Sequence, residues 1–546
     1  MDTVSKSPRS RLVEAMMRPE FYPDRPSSVE HKQTHMSDVF LADDYVYKIK
    51  KPVCLDFVDC WALGARYLLC REELRLNRRL APEAYLDVVP MLESGAEVIL
   101  GDAGQIFDHK VREYAVKMRR LPDERMLDRL VREGQADRSV IATLAAKLAA
   151  FHAEASSAKG WLYGSATAVA RLVLGNLEES RRYSGSTITA LQLSGIEDYL
   201  TSFIAAHREL LNDRARDGHV RECHGDLRCE HVCMTSQIQI FDCVEFSERL
   251  RYSDVASDIA FLAMDLDSLG QHMLADELVH AYSQKTTDEH LATLVNFYKC
   301  YRACVRGKVE SLKSLENEVS AEERQQAREQ ARAHFALAFT YASRGKPALL
   351  VVCGLSGTGK STVCRKLQCR TGFQVLSSDR VRKRLAGVPQ TTRAYTPYGE
   401  GIYTSGFDRL TYDAVLADAS ARLREGCGVI IDATFKRPAD RRRALAIGQH
   451  LGLPVLFVEC RADEKEVLKR LDARGAKSDD ASDATAEVYL AQRAEFVPLT
   501  ELSAKHHVVV DSTEDAEGMM RRIEACLGRA FDSGVHEERA ADTPAG

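Results

Sequence analysis

The chain lacks C-x-x-C pairs, long apolar runs and a strong excess of either charge. Its 15 cysteines form only looser pairs, such as Cys229/Cys233, and no second pair follows at the spacing of a zinc site. The purely apolar runs are short, as at 348–353, whereas about 20 residues are needed to cross a bilayer. Residues 1–18 have no continuous apolar core, so we expect no secretory signal. These absences disfavour a zinc-ribbon or membrane-spanning protein and favour a reducing, cytoplasmic compartment.

The composition is that of an ordinary globular protein. Hydrophobic residues make up 45% and charged residues 28% of the 546 positions, which disfavours a disordered or collagenous chain. At about 150 residues per domain, this length allows three or four domains. The net charge of −5 implies no polyanionic partner by itself. Residues 346–530, however, carry 29 Lys/Arg against 24 Asp/Glu, and this +5 is compatible with ligands that carry phosphate.

The clearest break in the pattern is the polar segment 343–347, which follows a helical stretch and precedes a strand-like apolar run. We therefore predict a domain over 1–345, a second domain over 346–530 and a flexible tail over 531–546. The first ~120 residues favour short strands around one helix over 63–80, with a hairpin-like pair of strands at 39–41 and 45–49. From about residue 123 to 304 the pattern is largely helical, interrupted over 224–246 by a segment of loop, strand and turn character. After the break, strands and helices alternate. This predicts an α+β domain followed by an α/β domain with a doubly wound parallel sheet.

The strongest motif is G-x-x-x-x-G-K-[ST] at 354–361, between a predicted strand and a predicted helix. Glycines let backbone N–H groups surround nucleotide phosphates, and the helix N-terminus adds partial positive charge. Lys360 would reach the β- and γ-phosphates, and the Ser361 hydroxyl would bind Mg²⁺. The alternative is a glycine-rich turn with a surface lysine. The expected nucleotide contacts are Gly354, Ser356, Gly357, Thr358, Gly359, Lys360, Ser361 and Thr362.

Two aspartates lie at the ends of the next two predicted strands. Asp379 follows the strand 373–377 by two residues, and Asp432 comes directly after the strand 429–431. The carboxyl ends of parallel strands meet at one edge of a sheet, so both acids should lie beside the phosphate loop. There a carboxylate can accept a hydroxyl proton or orient Mg²⁺. The alternative is that each acid caps the following helix. Farther on, Arg470 and Arg474 share one helix face, either as a lid over the phosphates or as a solvated surface.

With these motifs, residues 346–510 resemble the small P-loop kinases, especially polynucleotide 5′-hydroxyl kinases, gluconate kinases and zeta toxins. The resemblance rests on the phosphate loop, on Asp379-x-x-Arg382, on Asp432-Ala-Thr434 and on the lid arginines. It implies that Asp379 activates the acceptor hydroxyl as a base. It also implies that Arg382 grips the acceptor or the transferred phosphate and that Arg474 clamps the donor. ATP and Mg²⁺ are the implied cofactors.

A second constellation lies in the N-terminal half. Asp226 follows His224-Gly, and Asp242 follows about sixteen residues later at the end of a predicted strand. In kinase-like folds such a pair divides the work, because the first acid accepts the hydroxyl proton and the second binds Mg²⁺. Lys48 or Lys50 could meet the nucleotide phosphates, and Glu73 could pair with that lysine. The alternative is a loop with incidental acids and an exposed lysine edge.

Residues 30–310 resemble the aminoglycoside phosphotransferase family, a branch of the protein-kinase-like fold, through His224-Gly-Asp226-Leu and Asp242. The run 254–260 is also similar to that family, and the two resemblances together suggest a bacterial fusion of a phosphotransferase domain with an ATP-binding P-loop domain. Family members place asparagine as a second Mg²⁺ ligand where this chain has His231. His35 lies where a glycine-rich loop is expected. Both histidines could instead be structural hydrogen-bonding groups.

The leading hypothesis is an ATP-dependent phosphotransferase that acts on a small hydroxyl-bearing molecule, with no membrane partner. One alternative is that the N-terminal domain is a weakly active or regulatory nucleotide-binding module. Another is that the P-loop domain is a nucleotide switch or a polynucleotide 5′-hydroxyl kinase. The basic clusters 380–384 and 441–443 permit a nucleic-acid partner, although no aromatic-and-basic stacking pattern accompanies them. The acceptor is not fixed by the sequence, because a fold does not specify a substrate.

Overall fold

The computed structural model forms two compact units. It describes residues 8–34, 36–55, 58–95, 97–316, 319–343, 347–389, 400–475, 485–516, 518–520, 522–527 and 529–530. The first unit comprises Met1–Val173 and Phe203–Arg302, and the second comprises Leu174–Ser202 and Ala303–Gly546. His35 and the tail 531–546 lie outside the described residues. Among the helices that the structure describes, none combines the length and the apolarity that a membrane span needs.

An antiparallel sheet in the order β1-β2-β3-β8-β6-β7 opens the first unit. The predicted hairpin is present, since Ala42 pairs with Tyr45 across the two-residue turn at Asp43 and Asp44. The helix predicted over 63–80 is α2, Leu63–Asn77, and it packs on one face of this sheet. The strands are β1 (Val29–Gln33), β2 (Ser37–Ala42), β3 (Tyr45–Lys50), β4 (Cys54–Leu55), β5 (Val58–Asp59), β6 (Tyr85–Ser94), β7 (Glu97–Leu100) and β8 (Val111–Arg119).

The chain from residue 123 to 343 is mainly helical, as predicted. The predicted interruption over 224–246 contains the short antiparallel pair β10–β11. Four short strands occur in this stretch, β9 (Val220–Glu222), β10 (Val232–Cys233), β11 (Gln239–Ile240) and β12 (Tyr252–Asp254). The helices up to residue 343 are α1 (Pro8–Met16), α2, α3 (Leu127–Arg132), α4 (Arg138–Glu154), α5 (Gly160–Gly164), α6 (Ala166–Ser180), α7 (Ala190–Ala206), α8 (Arg208–Arg216), α9 (Glu248–Arg251), α10 (Val255–Ser268), α11 (His272–Thr286), α12 (Leu291–Lys313) and α13 (Ala321–Ser343).

The second unit contains the predicted doubly wound sheet, parallel throughout, in the order β14-β15-β13-β16-β17. Its central strand β13 is buried on both faces, because α16 and α17 cover one face and α14 covers the other. The strands are β13 (Leu349–Cys353), β14 (Gln374–Ser377), β15 (Val429–Asp432), β16 (Val455–Arg461) and β17 (His507–Asp511). The helices are α14 (Lys360–Thr371), α15 (Ser378–Leu385), α16 (Ser405–Arg424), α17 (Pro438–Leu451), α18 (Glu464–Gly475) and α19 (Ala486–Glu495).

Segments that precede residue 346 also contribute to the second unit. Gln192 on α7 donates a hydrogen bond of 2.7 Å to the carbonyl of Arg370 on α14. Gly195, one turn away, packs so closely on Phe339 of α13 that an added Cβ would lie 2.6 Å from its ring. The compact units and the domain boundary predicted at 345/346 are thus different divisions of the chain. The boundary itself stays a prediction.

Candidate active sites

The two lysines of β3 meet one buried carboxylate in the first unit. The Lys48 ammonium lies 2.9 Å from Glu73 Oε1, and the Lys50 ammonium lies 2.5 Å from Glu73 Oε2. Lys48 also lies 2.7 Å from Asp242 Oδ1, while Lys50 pairs with Glu245. Alternation along the strand places both lysines on one face, where α2 supplies Glu73. The structure therefore brings Lys48, Glu73 and Asp242 together, and Lys50 supports the glutamate from the other side.

The electrostatics of this cluster favour the charged forms of Lys48, Glu73 and Asp242. Burial opposes the charge on Lys48, but the carboxylates of Asp242 and Glu73 outweigh it and raise the pKa of that lysine well above its ordinary value. Desolvation likewise opposes ionisation of Glu73, which is fully buried, and of Asp242, which is partly exposed, but the neighbouring lysines lower the pKa of both carboxyls. Asp242 adopts a left-handed backbone with φ +63°, which is uncommon for a residue other than glycine. The site is thus preformed, with Asp242 held in a special conformation.

Asp226 lies in the loop after β9, where it contacts Arg228 and His231. Arg228 donates to Asp226 Oδ2 from Nε at 3.2 Å and from Nη2 at 3.1 Å. The same guanidinium approaches His231 Nε2 at 3.1 Å, and because a guanidinium only donates, this nitrogen is the acceptor. His231 Nδ1 therefore carries the proton and donates to the Asp226 carbonyl at 2.8 Å. His231 Nε2 also lies 3.7 Å from Asp242 Oδ2, so it lies between the two candidate acids.

Asp258 anchors the loop that carries Asp226. Its carboxylate accepts the backbone N–H groups of His224 at 2.8 Å and Gly225 at 2.9 Å. Burial raises the pKa of this carboxyl, but the hydrogen bond from His152 and the nearby imidazoles outweigh it, and the net result is a pKa of about 2. Arg302 donates to the Gly225 carbonyl at 3.0 Å from the other side. Two buried charged groups thus fix the loop at both its N–H and its C=O groups.

The residues of the first unit fit Mg²⁺ through oxygen donors. The Asp242 side chain is 43% exposed and the Asp226 side chain 28% exposed, so both carboxylates can reach solvent and a metal ion. Mg²⁺ prefers oxygen ligands. His231 offers nitrogen, and its Nε2 already accepts a hydrogen bond from Arg228. The assignment of His231 as a metal ligand remains a prediction.

In the second unit, the phosphate loop has the backbone that its glycines predict. Gly354, Gly357 and Gly359 have φ values of +129°, +81° and +92°. A Cβ on Gly354 would lie 2.4 Å from the Cys460 carbonyl, so only glycine fits there. The helix α14 begins directly after Gly359, at Lys360. This strand–loop–helix geometry is the arrangement that presents N–H groups to phosphate.

Polar groups of the protein itself engage the loop. The Lys360 ammonium donates to the Leu355 carbonyl at 2.8 Å, as does the Thr358 hydroxyl at 2.7 Å. The backbone N–H of Ser356 donates to Gln492 Oε1 on α19 at 3.0 Å. Ser361 and Thr362 are exposed at the start of α14. The loop therefore has an accessible hydroxyl and a lysine that folds back over it.

The strand register places the candidate acids at the level of this loop. Asp432 pairs with Val352 of β13 on one side and with Ser377 of β14 on the other. Asp379 follows Ser377 by two residues, in the first turn of α15. Neither acid is an N-cap residue, because Ser377 is the N-cap of α15 and Arg437 that of α17. The Asp432 carboxylate makes no hydrogen bond or ion pair within the described residues, and together with the Ser361 hydroxyl it is an oxygen donor suited to Mg²⁺.

The candidate arginines of the second unit differ in their contacts. Arg382 is buried and donates to the Ile402 carbonyl and to Asp408 Oδ1, both at 2.7 Å. Arg470 on α18 donates to Ser512 Oγ at 2.7 Å, and its Nη1 would lie 3.5 Å from a Cβ on Gly359. The structure thus places Arg470 beside the phosphate loop. Arg474 is in the same helix, but its side chain lies outside the described part of the chain.

Several residues at these sites were not predicted as site residues. Glu245, Arg228 and Asp258 support the candidate groups of the first unit, and Gln492 and Ser512 contact the phosphate loop or Arg470. The sequence offered a signal only for Asp258, which lies in the run 254–260 that is similar to the phosphotransferase family. Arg228 lies only two residues after Asp226, whereas Glu245, Gln492 and Ser512 become neighbours of the sites through tertiary packing.

The fold and these sites define a protein with a kinase-like domain and a P-loop kinase domain, and comparisons with known proteins agree. Residues 61–293 match the phosphotransferase enzyme family, and residues 349–499 match an AAA domain family. The chain is 30% identical to the uncharacterized protein Rv2004c of Mycobacterium tuberculosis (strain ATCC 25618 / H37Rv) over 470 residues, which cover 86% of this chain and 91% of that protein. The chain belongs to the same family as this mycobacterial protein.

Two further similarities each cover one part of the chain. A dephospho-CoA kinase of Geobacter sulfurreducens (strain ATCC 51573 / DSM 12127 / PCA) is 29% identical over 203 residues, which are 33% of this chain and 98% of that enzyme. The solved structure of the GDP complex of wild-type aminoglycoside 2'-phosphotransferase-IIIa is 16% identical, with a TM-score of 0.37. It covers 60% of this chain and 98% of the solved one.

Proposed function

We propose that the protein is an ATP-dependent phosphotransferase whose P-loop domain transfers the γ-phosphoryl group to a hydroxyl acceptor. The observation that carries this proposal is the register that aligns Ser377, Asp432 and Val352 across neighbouring strands. Neighbouring strands lie about 4.8 Å apart, so the chain segments that follow them converge on the same end of the sheet. A candidate base, a candidate metal-binding acid and the phosphate loop are then within reach of one bound nucleotide.

The proposed reaction is an in-line displacement. Asp379 accepts the acceptor's hydroxyl proton while that oxygen forms a bond to the γ-phosphorus and the bond to the β,γ-bridging oxygen breaks, which releases ADP. Lys360, with Arg382 and the lid arginines, offsets the charge on the phosphoryl oxygens. Ser361 and Asp432 would hold Mg²⁺, which when bound neutralises phosphate charge. The N–H groups of the loop orient the nucleotide, which lowers the entropic part of the barrier.

We propose the same class of reaction for the first unit. Lys48, held by Glu73, would bind the nucleotide phosphates, and Asp242 would hold Mg²⁺. Asp226 would accept the proton of a small hydroxylated molecule. The preformed ion pairs of Lys48 at 2.7 Å and 2.9 Å support this role. We accordingly assign a small-molecule acceptor to this domain.

The test is transfer of labelled γ-phosphate by the full chain to sugars, aminoglycosides, other alcohols and 5′-hydroxyl oligonucleotides. Lys360→Ala and Asp379→Asn should each abolish most transfer that remains in an Asp226→Asn background. Lys366→Ala, on the same helix α14, is the matched control and should leave it intact. If Lys360→Ala leaves that transfer unchanged, the assignment to the P-loop domain fails.

A second candidate function for the first unit follows from the contact between Arg228 and Asp226. Arg228 donates twice to Oδ2 of the candidate base, so this oxygen is already engaged by a cation where it would have to accept the hydroxyl proton. This favours a weakly active or regulatory nucleotide-binding module. Under this alternative, Asp226→Asn in a Lys360→Ala background has no effect on transfer to any acceptor. A loss of transfer, with Asp217→Asn as the unaffected control, rejects it.

A further inference from the structure

One surface of the P-loop domain has concentrated positive charge that the proposed reaction does not use. An open cleft lies at the β14 edge of the sheet, between β14, α15 and α16. We call it the arginine cleft. Its lining consists of Val375, Leu376, Ser377, Arg380, Val381, Arg384, Asp418 and Arg422. Three guanidinium groups against one carboxylate make this cleft strongly electropositive.

The charges in the arginine cleft are unequally compensated. Arg422 is satisfied, because its Nε donates to Asp418 Oδ1 at 2.8 Å and its Nη1 donates to Gln374. Arg380 and Arg384 are exposed, and neither has a hydrogen bond or ion pair from its side chain to any residue within the described chain. They lie four residues apart on α15 and so project from one face of that helix. Two adjacent uncompensated guanidiniums repel each other, and an anion between them removes that repulsion.

A hydroxyl group completes this surface. Ser377 is the N-cap of α15, but its side chain does not cap the helix and makes no hydrogen bond within the described chain. The Ser377 hydroxyl can therefore donate to a ligand in the cleft that it lines. Arg382 and Lys383, between the two cleft arginines in sequence, are buried instead. The basic run 380–384 thus divides into an inward pair and a pair that faces the cleft.

We propose that the arginine cleft binds the phosphate group of a ligand, at a site separate from the phosphate loop. A phosphate dianion has enough oxygens to accept from both forked guanidiniums and from the hydroxyl at once. The cleft lies at β14, whereas the loop follows β13, and β15 lies between these strands. The site therefore does not depend on the proposed reaction. The same phosphate chemistry is presented by a small phosphate ester and by a nucleic-acid strand.

The first experiment is calorimetric titration of the full chain with inorganic phosphate, with the nucleotide sites filled by an excess of Mg²⁺ and a non-hydrolysable ATP analogue. The double variant Arg380→Gln/Arg384→Gln should bind phosphate at least about tenfold more weakly than the wild type, because it loses charge-assisted hydrogen bonds. The control variant Arg409→Gln/Arg424→Gln removes two exposed arginines of α16 outside the cleft and should bind as the wild type does. The proposal is overturned if the cleft variant binds phosphate as tightly as the wild type does, or if the control variant loses as much affinity as the cleft variant. It is also overturned if the wild type does not bind phosphate.

A second pair of titrations separates the two sources of phosphate. Glycerol phosphate and a short 5′-hydroxyl oligothymidylate are compared at several salt concentrations. If the cleft binds a nucleic-acid strand, oligothymidylate binding should depend less steeply on salt concentration in the cleft variant than in the wild type, because fewer counterions are released. Binding of glycerol phosphate alone, weakened in the same variant, assigns a small phosphate ester. If the cleft variant binds both probes as the wild type does, the cleft is not a phosphate site.

Discussion

The backbone N–H of Ser356, inside the phosphate loop, donates a hydrogen bond of 3.0 Å to the side chain of Gln492 on α19. A nucleotide phosphate would approach the same loop, so the glutamine competes for a donor of the loop. The Lys360 ammonium is engaged in a similar way by the Leu355 carbonyl. Nucleotide binding would therefore replace contacts that the protein makes with itself.

Gln492→Ala should strengthen ATP binding to the P-loop domain. One hydrogen bond contributes about 0.5–1.5 kcal/mol net, which corresponds to a decrease of about two- to tenfold in the apparent KM for ATP. The measurement is transfer kinetics in an Asp226→Asn background, with Gln449→Ala on α17 as the control for loss of an exposed glutamine. An increased KM would show that Gln492 supports the nucleotide instead of competing with it.

Glu73→Gln should destabilise the first unit and reduce its nucleotide affinity. The substitution leaves the Lys48 and Lys50 ammoniums with less counter-charge in a buried site, and a broken buried ion pair costs about 3–5 kcal/mol. Urea denaturation measures the loss. Glu133→Gln, which alters only exposed contacts with Arg129 and Gln135, should leave the midpoint almost unchanged. Equal midpoints for the two variants would contradict the central role of Glu73.

The sequence predicted the backbone of both sites because their motifs are local. The glycines that need positive φ, the hairpin that carries Lys48 and the aspartates at the strand ends each lie within a few residues of the element that positions them. The doubly wound sheet also follows from local signals, since its central strands β13, β15 and β16 are apolar on both faces and the strands alternate with helices.

The residues that were missed depend on long-range packing. Gln492 lies 136 positions from Ser356, and Glu245 lies 195 positions from Lys50. No pattern of spacing links such pairs. The arginine pair of the lid shows the same limit, because its helix was predicted, but only the fold places Arg470 beside Ser512 and the phosphate loop.

The stability of the first unit should fall as the pH decreases from 7 to 5 because of His224. Burial lowers the pKa of this imidazole from 6.5 to about 4, and its Nδ1 is buried without a hydrogen bond. The unfolded chain binds the proton below about pH 6.5, but the folded chain binds it only below about pH 4. The contribution of the neutral His224 imidazole to the free energy of unfolding is therefore complete above pH 6.5 and is lost as the pH falls toward 4. The expected contribution at pH 5 is about 2 kcal/mol.

Urea denaturation at both pH values measures this loss. His224→Gln, whose amide nitrogen can take the place of the Nε2 donor to the Phe241 carbonyl, has no imidazole to protonate, so its stability should decrease about 2 kcal/mol less over the same interval. His290→Asn alters an exposed histidine and should behave as the wild type. The same pH dependence in the His224 variant would assign the effect to other groups.

Phe339→Ala should destabilise the second unit although residue 339 precedes the predicted domain boundary. Phe339 is 3% exposed on α13 and packs against Gly195 of α7. Truncation of a buried phenylalanine costs about 3–5 kcal/mol, because transfer free energy is lost and a cavity remains. Urea denaturation measures the loss, and hydrogen exchange should locate it in α7 and α13. Phe107→Ala removes a ring that is 86% exposed and should cost less than about 0.5 kcal/mol. If Phe339→Ala were as mild as this control, the helices before residue 346 would not be part of the second unit's stable core.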